Sequence, residues 1–111
     1  MTREELLTLH DQLCEKAKGI MSAKNHDYTG GGNADPFANF RASLVLGVQP
    51  EIGLMMRVMD KLKRIETFVN TGTLAVKTES VDDAILDVLN YMVVLAGLVE
   101  DRRSAISGSA K

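Results

Sequence analysis

Apolar residues recur along this chain at steps of three and four, the spacing that places them on one side of a helix turning about 100° per residue. The first such run is Leu6, Leu9, Leu13, Ala17, Ile20 and Met21. Thr2 followed by Glu5 is a capping box that starts it. A second run, Phe37, Phe40, Ala42, Leu44, Val45 and Leu46, is short: Asp35 is placed to cap it, Pro36 to open it and Gly47 to stop it. A third begins at Pro50, with Met55, Val58, Met59, Leu62, Ile65 and Val69 as its expected core face, and ends at Asn70-Thr71-Gly72. The fourth runs from about residue 80 to 102, is apolar on most sides, and is expected to be largely buried. Ser80 and Asp83 form its capping box. No stretch alternates with period two. The pattern therefore predicts an all-α fold, a small bundle of three long helices plus one short one. Residues 1–103 form one domain, and 104–111 a polar tail expected to fray.

Between the first two helices, Lys24 to Pro36 holds three consecutive glycines, two Asn and two Asp. It reads as a loop of about 12 to 14 residues, long for a small domain and so a candidate functional segment. No Gly-Lys-Ser/Thr follows the glycines, which excludes a P-loop.

Composition narrows the picture further. Aromatics make up 5% of the chain and there are six Met, which suits helices better than sheets. A net charge of −2 gives no basic field for a nucleic-acid polymer. The longest apolar run, Val93 to Val99, is too short to span a membrane. The single cysteine, Cys14, has no internal partner, and a reducing, cytoplasmic compartment is expected. Cys14 and His10 both read as packing or surface residues.

The chemistry concentrates on the last helix. Glu79, Asp83 and Asp87 are spaced i, i+4, i+8, and Asn90 extends the same stripe. Three carboxylates on one side of a helix repel one another unless a divalent cation or a row of Lys/Arg neutralises them. Helix dipole and capping account for the first acids but not for Asp87, which sits between Leu86 and Val88. On the third helix Arg57, Asp60, Lys61 and Arg64 share a stripe opposite the expected core face. Two readings of that row stay open: a solvated face, or one turned toward the acids of the last helix. In the second, Glu79, Asp83 and Asp87, joined by Asp60, hold Mg²⁺ or Mn²⁺, hard cations that prefer oxygen. Arg57, Lys61, Arg64 and Lys24 then bind phosphate. Asn25, Asp27, Tyr28, Asn39 and Asn90 are the polar groups available to read a nucleoside.

Three segments carry a family resemblance: Lys24-Asn25-His26-Asp27-Tyr28, the Arg-x-x-Asp-Lys-x-x-Arg of Arg57 to Arg64, and the Glu-Ser-x-x-Asp-x-x-x-Asp-x-x-Asn-Tyr of Glu79 to Tyr91. They resemble a phage- and bacteria-borne family associated with nucleotide modification. More distantly they resemble the all-α nucleoside triphosphate pyrophosphohydrolases of the MazG group. The chain departs from the MazG pattern at Ala84, where a Glu is expected, so that Asp83 or Glu79 takes its role. The resemblance implies a MazG-like bundle and Mg²⁺-dependent cleavage of a (d)NTP or modified nucleotide to the monophosphate and pyrophosphate. It implies Glu79, Asp83 and Asp87 as catalytic residues. The alternative is a nucleotide-binding oligomer without turnover, or a protein-interaction module. A bundle this small closes its core poorly alone, so a homodimer or homotetramer is expected.

Overall fold

A computed structural model describes residues 1–29, 35–74 and 80–110, without the side chains of 25, 27–29 and 107–110. It is all-helical: α1 spans Arg3–Thr29, α2 Ala38–Arg41, α3 Pro50–Thr71 and α4 Val81–Ala110, with a 3₁₀ turn at Ala42–Leu46. α3 and α1 both pack on α4, α3 the more extensively, and α2 bridges α1 and α3. No described helix is long and apolar enough to cross a membrane.

Both expected capping boxes form. Thr2 N–H donates to Glu5 at 2.9 Å, and Glu5 N–H to the Thr2 hydroxyl at 3.1 Å. At α4, Ser80 N–H donates to Asp83 and Asp83 N–H to the Ser80 hydroxyl, each at 3.1 Å. Each box satisfies two amides that the first turn would otherwise leave without partners. α3 starts with Pro50 in its first turn and ends at Gly72, whose φ of 78° is the left-handed conformation that suits glycine. Gly47, at φ 74°, closes the 3₁₀ turn in the same way.

Four expectations are corrected. Lys24 to Thr29 belong to α1 and not to the loop: no Gly or Pro falls between Lys24 and Thr29, and the glycine run starts only at Gly30. The short helix starts later than expected, at Ala38: Asp35 caps the turn that leads into it, its carboxylate accepting from Phe37 N–H at 3.0 Å and from Arg41 Nε at 2.8 Å. The short helix is accordingly a four-residue α2 followed by the 3₁₀ turn. α4 continues to Ala110, so residues 104–110 extend the helix where a fraying tail was expected.

The fourth correction concerns which way α3 faces. Most of its expected core side is outside: Met55, Met59, Leu62 and Val69 are all exposed, Met59 at 68%, and only Val58 and Ile65 at its edge are half-buried. Leu54, 1% exposed, is buried on the opposite side, which also carries Lys61 and Arg64. α4 is only partly covered as well, with Ala84, Leu86 and Leu98 buried but Ile85, Met92 and Val93 exposed.

Candidate functional site

The basic row of α3 meets the acidic stripe of α4. Lys61 Nζ lies 3.0 Å from one carboxylate oxygen of Asp87, and Lys24 Nζ, from α1, lies 3.5 Å from the other. The Asp87 and Lys61 side chains are each only about a fifth exposed, whereas Lys24 is more than half exposed. All three long helices thus converge on one carboxylate. One turn further along α4, the Asn90 amide donates to the Ala17 carbonyl at 2.9 Å and holds α1 in place.

Asp87 and Lys24 stand between two cavities. One, of about 250 Å³, is lined by Lys24, Lys61, Arg64, Ser80, Asp83 and Asp87, with Ile20, Ala84 and Leu86 behind them. Three cations face two carboxylates there, so the cavity favours an anion. The other, of about 370 Å³, has an apolar and aromatic lining from Met21, Phe37, Phe40, Tyr91 and Val94, within the size range of small-molecule pockets. Its polar groups are Asn39, Asn90, Arg57, Lys24 and Asp87. The Arg57 guanidinium sits 5.1 Å from the centre of the Phe40 ring, and Arg41 sits 5.7 Å from that of Phe37, both cation–π distances. Phe37 is seated on α4 at Gly97: a Cβ there would lie 2.7 Å from the Phe37 Cζ.

Asp83 titrates below the usual carboxylate range. Its carboxylate accepts the Ser80 N–H and interacts with the Ser80 hydroxyl, and Lys16 and Lys24 add attraction. A depressed folded-state value means the capping box contributes stability in full above the ordinary carboxylate range. That contribution is lost as pH falls through the lowered value. The difference in melting temperature between the wild type and Asp83→Asn should therefore be largest near neutrality and shrink below about pH 4. Thermal unfolding followed across that range tests this, and a pH-independent difference would contradict it.

The structure brings together Lys24, Lys61, Arg64, Asp83 and Asp87 at one cavity, and Arg57, Asn39 and Asn90 at its neighbour. It does not bring in Asp60, which is exposed and lines neither. Glu79 and the side chains of Asn25, Asp27 and Tyr28 lie outside the described residues. Asp83 and Asp87, four apart on α4, offer the oxygen donors a hard cation takes. Both Asp87 oxygens also face an ammonium, and among the described residues no group of three or more His, Cys, Asp or Glu gathers, so a Mg²⁺ here would take one or two carboxylates and complete its shell with phosphate and water. Sequence reasoning missed Tyr91 and Gly97. The signal was present, since Asp83, Asp87, Asn90, Val94 and Gly97 continue one stripe in alternating steps of four and three.

No family model, curated protein or solved structure matches this chain.

Proposed function

We propose that this protein binds a nucleoside polyphosphate, with the base in the aromatic cavity and the phosphates in the cationic one, and cleaves it between the α- and β-phosphates. The observation that carries the reading is the meeting of the two cavities at Asp87 and Lys24, an apolar aromatic pocket opening beside a cluster of three cations. Lys61, Arg64 and Lys24 bind the phosphates by charge-assisted contacts. Phe40 and Tyr91 offer ring faces to a base, while Asn39 and Asn90 offer amides that discriminate its edge. Mg²⁺, taken by Asp83 and Asp87, would supply charge neutralisation and a polarised water. On this reading the protein is a cytoplasmic, phage- or bacterium-encoded activity of the MazG type, working as a homo-oligomer.

A second reading, binding without turnover, is favoured by one observation. Both oxygens of Asp87 are engaged by lysines, so that carboxylate already has its counter-charges without a metal. Incubation with each dNTP and NTP, with and without Mg²⁺, separates the two when pyrophosphate release and calorimetric binding are scored together. Mg²⁺-dependent release from at least one nucleotide supports cleavage. Binding without release supports the second reading, and no binding of any nucleotide overturns both.

A further inference from the structure

α3 is amphipathic, but in the single chain its two faces are the wrong way round for a monomer. At 100° per residue, Ile52, Met55, Met56, Met59, Leu62 and Val69 all point within about 80° of the Met59 direction. Every one of them is 49% exposed or more. The cationic face, by contrast, is the one turned into the bundle, where Lys61 meets Asp87. A largely apolar stripe running from Ile52 to Val69, on a helix that turns Lys61 inward, is built for burial against something outside the chain.

The whole molecule carries the same mark. A monomer of this mass exposes about 6,000 Å², whereas this chain of 12.1 kDa exposes 8181 Å². The excess is about 2,000 Å², and a permanent homodimer removes about 1,000–2,500 Å² from each partner. The radius of gyration is 16.5 Å, where a compact chain of this length gives about 13 Å. Among the described residues only Ala17, Pro50, Leu54, Ala84, Leu86 and Leu98 are buried, a small core for a lone domain.

We propose that two copies of this chain pair through the Met-rich face of α3, antiparallel about a two-fold axis near Met59 and Leu62. A two-fold contact needs a surface that fits its own copy. A straight, predominantly apolar stripe centred on one helix meets that need. Its charged members are already paired within the chain, Lys63 with Glu66 at 3.0 Å and Glu51, at the edge, with Arg102 at 2.6 Å, and so present no unmatched charge to a second copy. Methionine side chains adapt to an identical surface with little strain. The opposite face of the same helix still lines both cavities, so each protomer keeps its own site.

Sedimentation equilibrium of the full chain tests the pairing. The wild type should show a two-chain mass, and Met59→Glu a one-chain mass with its helical circular dichroism retained. Because the variant can lose its fold along with its partner, a second measurement uses Met59→Cys in a Cys14→Ser background with a short bis-maleimide. That pair of changes should yield a covalent dimer, whereas Val45→Cys in the same background should not. A one-chain mass for the wild type at every concentration, a two-chain mass for Met59→Glu, or no crosslink at position 59 would each overturn the proposal.

Discussion

Asp87→Asn is expected to abolish pyrophosphate release, by about two orders of magnitude or more, while the helical fold persists. Asparagine keeps the size of the side chain but removes the charge that balances Lys24 and Lys61. Two ammoniums are then left facing the same cavity, and any metal loses a ligand. Breaking this pair destabilises the chain by about 1–3 kcal/mol, between the values for surface and for buried ion pairs, because Asp87 and Lys61 are only partly shielded. The same change should tighten binding of a bare anion such as pyrophosphate, since nothing negative at that position now competes for the lysines. Turnover, chemical denaturation and pyrophosphate titration on one preparation check all three effects. An unchanged rate in an active enzyme would remove Asp87 from the chemistry. Weaker pyrophosphate binding would mean that the lysines do not serve the anion.

Gly97→Ala should cost about 1–3 kcal/mol and spoil the aromatic cavity. The added methyl would lie 2.7 Å from Cζ and 3.1 Å from Cε1 of Phe37, well inside contact distance. The ring lines the aromatic cavity, so a shift that relieves the clash alters the pocket's shape. Nucleotide and nucleoside affinity should therefore fall, while pyrophosphate, which needs only the cationic cavity, binds as before. A Phe37→Leu change added to Gly97→Ala shortens the side chain and should recover part of the stability. Denaturant midpoints and parallel titrations with nucleoside and pyrophosphate decide the matter. Equal losses for both ligands would point to general unfolding and not to the pocket.

The helices were legible because their ends are written in local chemistry. Thr2 with Glu5, Ser80 with Asp83, Pro50 and Gly72 all act through neighbours within four residues. The end of α1 was not, since Asn25, His26 and Asp27 favour turns on average but tolerate a helix when no glycine intervenes. The orientation of α3 was hidden for a different reason. Periodicity tells which face of a helix is apolar, but it is silent on whether that face meets the same chain or another. The approach of Lys61 to Asp87 stood open as one of two readings of the charged row. That Lys24 completes the clasp from α1 depends on tertiary packing that no spacing encodes. Gly97 was overlooked because a helical glycine reads as a weak point until the ring pressed against it is seen.

The bond from Asn90 to the Ala17 carbonyl makes α1 a lever. Beyond that pivot toward its start, α1 leaves Leu6 and Leu7 in solvent; on the near side, two turns away, it carries Lys24 into both cavities. The helix that is tied to α4 at Ala17 is thus the one that supplies the ammonium between the two cavities.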